Sequence, residues 1–377
     1  MCRSLLLSKP MPSMLLDAPA PDLTPAQSAK RDEILHLLEH GPWSDSLSLT
    51  FIVTNKCNLR CTHCNVKEWL THKAEADYPF EQMLEWAEQI AAFKGQPKKY
   101  AGLIGGEVTT VPERLEKCVH MLADRGWAIT LISNLTKLPE DIEFLRKVDR
   151  IQISVDGLSE DHDKQRGKGT FATTYRNLRR LFQADLGNNI IVQACLPSDY
   201  GEEKCRRFLE AMVYAGADPS KVSFGGMTTG YDDREIARDK LPLKHTYLAH
   251  KPCCEYKVMS NFTITPDGDV FSSYHGVGRP NHRLGTIQDS PETIRERFRN
   301  MVGRLVWVND PKCLECPALK RCWGMFCFQI FKYGNTPKPS DHCQQERMIE
   351  LNEEWIKRHG NDIATGIPIG EVRDFCS

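Results

Sequence analysis

Three cysteines on one short stretch constrain this chain more than any other feature. Residues 54–64 place Cys57, Cys61 and Cys64 at the spacing C-x3-C-x2-C. The preceding residues 47–53 alternate apolar with small polar side chains, which is typical of a β-strand. The cysteines are therefore predicted on a loop after a first strand. Three thiolates on such a loop can each bind one iron of a [4Fe–4S] cube, and the fourth iron stays open to an outside ligand.

A zinc site is the alternative for the same cysteines. Zinc sites usually pair two C-x2-C units or add histidines, and His63 could then be the fourth ligand. The motifs further along the chain agree with the cluster instead.

Cysteine usage and charge exclude several partner classes. The chain has 377 residues with 15 cysteines, and their clustering favours metal or cluster sites over disulfides. The net charge is −1, so no nucleic-acid partner is expected. No apolar run reaches the ~18 residues that a membrane span needs. The apolar run among the first residues is too short for a secretory signal peptide, so we expect a cytoplasmic protein.

Strand and helix patterns alternate through the first two thirds of the chain. Alternation of this kind predicts a parallel sheet with right-handed crossovers. The predicted strands are 47–53, 100–104, 127–132, 150–155, 190–196 and 221–224, and the predicted helices are 80–93, 112–125, 139–148, 170–184 and 202–216.

Glycine and polar residues follow these strands, where barrel sites lie. Gly105, Gly106 and Glu107 come after the second strand. Two glycines let the backbone approach a ligand closely, and a carboxylate can bind an ammonium group. The later strand ends carry Ser133 and Asn134, then Ser154 and Asp156 with Arg166 further on, and finally Gln193 and Cys195.

The cysteine loop and these strand-end motifs together resemble the radical S-adenosylmethionine (radical SAM) superfamily. The resemblance implies an α/β fold with a partial (β/α)6 TIM-like barrel, and a catalytic [4Fe–4S] cluster on Cys57, Cys61 and Cys64. In that superfamily the amino and carboxylate groups of S-adenosylmethionine chelate the open iron, and an electron from the cluster breaks the cofactor's C–S bond to release a 5′-deoxyadenosyl radical. The residues implied to bind this cofactor are His63, Gly105, Gly106, Glu107, Ser133, Asn134, Ser154, Asp156, Arg166 and Gln193.

Several of these positions leave alternatives open. His63 replaces the aromatic residue that usually precedes the third cysteine, although an imidazole can also stack on adenine. Val108 replaces a proline of the superfamily motif. Asp156 precedes a glycine and is equally well a turn residue. Cys195 could give a hydrogen atom to a substrate radical, but cysteines at strand ends are more often simply buried.

A second cysteine array follows the predicted barrel. Cys253 and Cys254 precede a Pro-Asp-Gly-Asp segment that predicts a hairpin. Beyond it the array has the spacing C-x2-C-x5-C-x4-C and a last, distant cysteine; its members are Cys313, Cys316, Cys322, Cys327 and Cys343. The array resembles the SPASM extension of radical SAM peptide- and protein-modifying enzymes, a small cysteine-rich α+β domain that usually binds two auxiliary [4Fe–4S] clusters.

The two auxiliary sets are not equally complete. The resemblance implies that Cys313, Cys316, Cys322 and Cys343 bind one cluster. Cys254 and Cys327, with Cys253 as a further ligand, would bind the other, but Ser273 stands where its next cysteine is expected. Ser273, His275, an outside residue or substrate would have to complete that set. A zinc-ribbon fold is the alternative for the whole array.

The predicted organisation has five parts: a flexible segment with a short helix over 1–46, the barrel over 47–226, a linker over 227–251, the auxiliary-cluster domain over 252–345, and a helix with a tail over 346–377. By resemblance, the chain is a radical SAM enzyme that cross-links, oxidises or epimerises a peptide or protein. Its electron donor would be a flavodoxin or ferredoxin. The alternatives are dehydrogenation or rearrangement of a sugar or other small molecule, and a non-catalytic zinc scaffold.

Overall fold

The computed structural model describes residues 22–64, 79–196, 200–226, 257–278 and 282–322, together with Glu353 and Lys357. The predicted linker and nearly all of the predicted C-terminal helix and tail lie outside these residues. So do Cys253, Cys254, Cys327 and Cys343. None of the helices in the described ranges is long and apolar enough to cross a membrane.

Nine strands form one sheet in the described part of the chain. They are β1 Ser46–Thr54, β2 Lys98–Gly105, β3 Ala128–Ser133, β4 Arg150–Ser154, β5 Ile190–Leu196, β6 Val222–Gly226, β7 Asn261–Ile264, β8 Asp269–Phe271 and β9 Arg283–Thr286. Their order is β6-β5-β4-β3-β2-β1-β7-β8-β9. Strands β1 to β6 pair in parallel with their neighbours. This open parallel sheet confirms the predicted partial barrel.

The predicted hairpin of the cysteine-rich region belongs to the same sheet. Strand β7 pairs in parallel with β1, with Ser48 opposite Asn261 and Phe51 opposite Ile264. Strands β7, β8 and β9 then pair antiparallel. The hairpin therefore extends the barrel sheet beyond β1, although the sequence assigns it to the domain over 252–345.

Ten α-helices complete the described elements. They are α1 Pro25–His40, α2 Phe80–Phe93, α3 Pro112–Ala123, α4 Ser159–Arg166, α5 Thr170–Gln183, α6 Glu202–Ala215, α7 Pro291–Gly303, α8 Val306–Asn309, α9 Pro311–Glu315 and α10 Leu319–Cys322. Helix α4 was not predicted. The helix predicted over 139–148 is instead a short 3-10 helix, Glu143–Lys147. Just before it the Asp141 side chain accepts from the Glu143 amide at 2.9 Å, a local bond of the kind that competes with α-helical pairing.

Strand β1 lies at the centre of the hydrophobic core. Leu47, Leu49 and Phe51 are all fully buried. Helix α2 repeats apolar residues at helical spacing and packs its Phe80 edge-on against Phe51, with ring centroids 5.3 Å apart. Its Trp86 packs edge-on against Phe262 of β7 at 5.7 Å. The strand that carries the cysteine loop is thus fixed by packing along its length.

The chain divides into two compact units. One contains all nine strands with α2 to α6. The other contains α1, most of α7, and α8 to α10. In this second unit Glu39 of α1 accepts from Arg295 at 2.7 Å and from Arg299 at 2.6 Å. The side-chain amide nitrogen of Gln27 donates to the Glu315 carboxylate at 2.7 Å.

Candidate functional site

The cysteine loop after β1 rests on the Gly-Gly turn after β2. The amide of Gly106 donates to the carbonyl of Thr54 at 2.8 Å, and the amide of Glu107 donates to the carbonyl of Lys56 at 2.7 Å. A Cβ at Gly105 would lie 2.3 Å from the Thr54 oxygen, and one at Gly106 would lie 2.0 Å from the Lys56 oxygen. The sequence suggested close approach of a ligand. In the structure these glycines admit the cysteine loop itself.

The three loop cysteines are half-buried free thiols. The Leu59 amide donates to the Cys57 sulfur at 3.5 Å, and the Cys64 amide donates to the Cys61 carbonyl at 3.2 Å. Burial raises the pKa of Cys57, and it raises the pKa of Cys61 to about 11. The thiols of Cys57 and Cys61 are therefore protonated at neutral pH in the metal-free chain, and metal binding must displace their protons.

The arrangement of the thiols bears on which metal group they fit. In a [4Fe–4S] cube each of three thiolates binds a different iron, and the fourth iron stays open. Three reduced thiols on one loop, with an amide directed at a sulfur, fit the cube.

Glu107 joins the end of β2 to the end of β3. Its side chain is buried, and one carboxylate oxygen accepts from the Thr109 amide at 3.1 Å, the Thr109 hydroxyl at 2.7 Å and the Ser133 hydroxyl at 2.7 Å. The other oxygen accepts from the Asn134 amide at 2.7 Å. The predicted residues Glu107, Ser133 and Asn134 are thus brought together. Thr109 was missed, because only the fold shows that it caps the carboxylate.

Asn134 also connects this group to the cysteine loop. Its amide nitrogen donates to the side-chain oxygen of Asn58 at 3.2 Å. Its side-chain oxygen accepts from the Thr136 amide at 2.9 Å and hydroxyl at 2.6 Å. Asn58 was not singled out from the sequence, since an asparagine between cysteines carries no pattern of its own.

Asp156 and Arg166 form a buried ion pair close to Cys61 of the cysteine loop. The Arg166 Nε donates to Asp156 Oδ2 at 2.5 Å, and Asp156 is fully buried. Burial lowers the pKa of Arg166, but the Asp156 carboxylate outweighs that effect and the net shift is upward. His63 Nε2 lies 3.4 Å from the same carboxylate oxygen. Burial lowers the pKa of His63 despite this carboxylate, so the imidazole is neutral at pH 7.

His162 and Cys195 complete the surroundings of Asp156. The Asp156 amide donates to His162 Nδ1 at 3.0 Å, and the Cys195 amide donates to Asp156 Oδ1 at 3.0 Å. Burial, with Arg166 adding to it, lowers the pKa of His162 to about 4. The contact of His162 with Asp156 could not be read from the sequence. Asp156 is therefore more than a turn residue, since it organises an ion pair.

The remaining predicted barrel residues share one face of two neighbouring strands. Ser154 of β4 pairs in register with Gln193 of β5, and Cys195 lies two positions further along the same strand. All three are half-buried, whereas the alternate positions of β5 are buried. Burial raises the pKa of Cys195 to about 11, so its thiol keeps its hydrogen at neutral pH.

Three cysteines of the second array lie in the described part of the chain: Cys313, Cys316 and Cys322. The thiols of Cys313 and Cys316 are half-buried. Cys313 lies in α9, Cys316 caps that helix, and the Cys316 amide donates to the Cys313 carbonyl at 3.1 Å. Cys322 is the last residue of α10. Ser273 is buried, and its hydroxyl accepts from the Gly276 amide at 3.2 Å, on a 3-10 helix that includes His275. The other predicted ligands lie outside the described residues.

Comparison with known sequences identifies relatives of the barrel. Residues 51–212 match the profile of the Radical SAM superfamily. The chain is 25% identical over 198 residues to the sporulation killing factor maturation protein SkfB of Bacillus subtilis, covering 50% of this chain and 46% of SkfB. It is 27% identical over 119 residues to an S-adenosylmethionine-dependent nucleotide dehydratase of a Thermoplasmatales archaeon, covering 31% and 40% of the two chains. The match thus spans less than half of each relative.

Solved structures show the same fold at low sequence identity. The structure of anSMEcpe with bound AdoMet and the Cp18Cys peptide has a TM-score of 0.59 at 17% identity, covering 83% of this chain and 97% of that chain. SuiB of Streptococcus suis bound to S-adenosylmethionine has a TM-score of 0.54 at 14% identity, covering 76% and 74%. At these identities the likeness concerns the fold alone.

Proposed function

Because residues 51–212 of this chain form a radical SAM domain, we propose that it is a radical SAM enzyme that modifies a peptide or protein. One observation carries the proposal. The cysteine loop is hydrogen-bonded to the Gly-Gly-Glu turn, so Cys57 and Glu107 are held at the same end of the sheet. Relatives named for cofactor and peptide chemistry support it.

Cys57, Cys61 and Cys64 would hold a [4Fe–4S] cluster. Such a cluster, when bound, supplies the electron that cleaves S-adenosylmethionine and so makes a 5′-deoxyadenosyl radical available for hydrogen abstraction. The chain contributes the position of the thiols, through the backbone contacts of Thr54 and Lys56 with the Gly-Gly turn.

The polar residues around the loop would bind the sulfonium cofactor. Glu107 offers a buried carboxylate for the cofactor's ammonium group, although four donors of the chain already fix its orientation. Arg166 is oriented by Asp156 to meet a carboxylate or ribose. Ser154 and Gln193 present hydrogen-bonding groups on the adjacent strand face. His63 would contact the adenine. The remaining predicted contacts are Gly105, Gly106, Ser133 and Asn134.

Support for a peptide substrate comes from the relatives. SkfB is named as the maturation protein of the sporulation killing factor. The structure of anSMEcpe contains a peptide, and that of SuiB a precursor peptide, SuiA. These three relatives favour a peptide substrate over the small-molecule and zinc-scaffold hypotheses, whereas the nucleotide dehydratase is named for small-molecule chemistry. An acidic one-electron carrier such as a flavodoxin or ferredoxin would supply the electron.

The second array would hold auxiliary clusters. Cys313, Cys316, Cys322 and Cys343 form the complete ligand set, and Cys253, Cys254 and Cys327 form the incomplete one. Ser273 is a poor substitute ligand because a hydroxyl binds iron weakly at neutral pH, and here it already caps a short helix. With the catalytic cluster present, we expect about eight irons per chain if only the complete auxiliary set binds a cube, and about twelve if both auxiliary sets do.

Anaerobic reconstitution of the full chain tests the proposal. Wild type is expected to bind iron and sulfide and to release 5′-deoxyadenosine from S-adenosylmethionine after reduction. Cys57→Ala should abolish release while retaining the iron of the second array. Cys205→Ala, a half-buried cysteine on α6, is the matched control and should behave as wild type.

Two results would contradict the proposal. Cleavage at the wild-type rate in Cys57→Ala would remove this loop from the reaction. Zinc without sulfide in the reconstituted chain would favour the scaffold instead. Mass spectrometry of a candidate peptide after turnover then separates peptide modification from small-molecule chemistry.

A further inference from the structure

A cleft beside the proposed cofactor site has cationic side chains for which the proposed reaction has no use. It has a volume of about 460 Å³ and lies at the carboxyl ends of β2 and β3, against α5. Its polar lining consists of Thr109 and Thr110 after β2, Thr136 and Lys137 after β3, and Arg176 and Asn177 on α5.

The lining is positively charged. Lys137 and Arg176 are both exposed, and neither makes a hydrogen bond or ion pair with another described residue. No Asp or Glu of the described ranges lines the cleft. The nearby Arg180, by contrast, donates to the Glu140 carbonyl at 2.6 Å. Like charges in one concavity repel each other and attract an anion.

The cleft shares two of its walls with the proposed cofactor site. The Thr109 hydroxyl donates to Glu107 at 2.7 Å, and the Asn58 side chain of the cysteine loop donates to the Thr136 hydroxyl at 2.7 Å. A ligand in the cleft would therefore lie next to the residues that hold the reacting cofactor.

We propose that this cleft binds carboxylate side chains from an acidic segment of the peptide substrate, an inference that rests on the proposed function. A guanidinium binds a carboxylate through two parallel hydrogen bonds, and a lysine adds a point charge. The volume is that of a pocket for a small group or short extended segment, not for the broad face of a folded electron carrier. Neighbouring acidic residues of one peptide would engage Lys137 and Arg176 together.

Binding of a model acidic peptide to the reconstituted full chain tests the cleft. The probe is fluorescein-labelled hexaglutamate, followed by fluorescence anisotropy at low salt. Charge reversal in K137E/R176E should weaken binding by about tenfold or more, because charge-assisted hydrogen bonds are lost. The milder K137Q/R176Q should weaken hexaglutamate binding less, and it tests the cleft if K137E/R176E folds poorly. The control K98E/R207E makes the same charge change at exposed residues outside the cleft and should bind as wild type.

Three outcomes would overturn the inference. These are no binding of hexaglutamate to wild type, equal loss in K98E/R207E, and tighter binding of inorganic phosphate than of hexaglutamate at the cleft. S-adenosylmethionine cleavage without peptide is measured separately. If wild type binds hexaglutamate through Lys137 and Arg176 but never cleaves the cofactor, the proposed function fails while the carboxylate site stands.

Discussion

The two cysteine-bearing segments of this chain are held in different ways. Backbone groups from distant segments hold the loop of Cys57, since the amides of Gly106 and Glu107 bond to it and the Thr62 amide donates to the Gln165 carbonyl at 2.9 Å. The described segment around Cys313 has mainly local backbone bonds, such as that from the Cys316 amide. Its links to α1 are side-chain contacts, among them Gln27 with Glu315 and Lys320 with Glu33.

The difference teaches which kind of change each segment should tolerate. A loop held by backbone hydrogen bonds keeps its position only if the opposing backbone can come close. A larger side chain at the contact should therefore displace the loop. A segment fixed through side chains should respond to the loss of individual polar contacts, which are modest in free energy. The predictions below probe these two dependences, from the largest expected effect to the smallest.

Gly106→Ala should disrupt the first loop selectively. The added Cβ would lie 2.0 Å from the Lys56 carbonyl oxygen, so the loop must move away from the turn. We expect a loss of stability of about 3 kcal/mol, the upper end for overpacking. Cofactor cleavage should be lost, while the iron of the second array should be retained. Calorimetry, iron analysis and the 5′-deoxyadenosine assay measure the three effects.

Gly102→Ala, on the strand β2 that precedes the turn, is the matched control. Its Cβ would lie 3.6 Å from the nearest atom, the Thr50 hydroxyl, which is an ordinary contact. This variant should cleave the cofactor normally. If Gly106→Ala also cleaves normally, backbone approach does not govern the loop.

The sequence predicts the barrel elements better than the contacts between them. Apolar periodicity gave α2 its correct bounds, Phe80–Phe93, because that helix buries a clear face. Helix α4, by contrast, is almost entirely polar, so no periodicity marks it. The hairpin signal at β7 was visible, but its parallel pairing with β1 joins segments far apart in sequence and leaves no local trace.

The same distinction applies to the site. The cysteine spacing and the Gly-Gly-Glu turn were recognisable as motifs, whereas the capping of Glu107 by Thr109 depends on how the chain turns after β2. The role of the glycines also came from tertiary contact, since the carbonyls that crowd them belong to Thr54 at the end of β1 and to Lys56 on the loop that follows.

Protonation of His162 should weaken the barrel unit at low pH. Burial lowers its pKa in the folded chain to about 4, from an ordinary 6.5. Between these values the unfolded chain takes up a proton that the folded chain does not, so stability falls as pH falls from 6.5 toward 4. The loss from this group is about 3 kcal/mol at the acid end. Denaturant unfolding of the metal-free chain at several pH values measures it.

His162→Gln isolates that contribution. Its side-chain oxygen can still accept from the Asp156 amide, but the side chain does not titrate. The stability difference between wild type and this variant should therefore shrink or reverse as the pH falls. His36→Gln, at an exposed position of α1, should follow wild type. A difference for His162→Gln that is constant with pH would contradict the argument.

Glu107→Gln should weaken cofactor binding. The new amide group would face donors on both sides of the side chain, from Thr109 and Asn134. Loss of a charge-assisted hydrogen bond costs roughly 1.5–3 kcal/mol, or about ten- to hundredfold in S-adenosylmethionine affinity. Equilibrium binding measures the change, with the exposed Glu113→Gln on α3 as the control. Unchanged affinity would count against a role for Glu107 at the cofactor.

Gln27→Ala should have the smallest effect and should act on the second unit. Gln27 is buried, its amide nitrogen donates to Glu315 at 2.7 Å, and its oxygen accepts from the Thr24 amide at 2.9 Å. Losing these bonds should cost about 1 kcal/mol, because most of each bond is exchanged for one with water. Since Glu315 lies between Cys313 and Cys316, the variant should release iron from the second array faster under a chelator, with cofactor cleavage preserved. Ser28→Ala, exposed on the same helix, should release iron as wild type. If Gln27→Ala retains iron equally well, the contact of Gln27 with Glu315 does not support these cysteines, and the contrast between the two segments rests on the first loop alone.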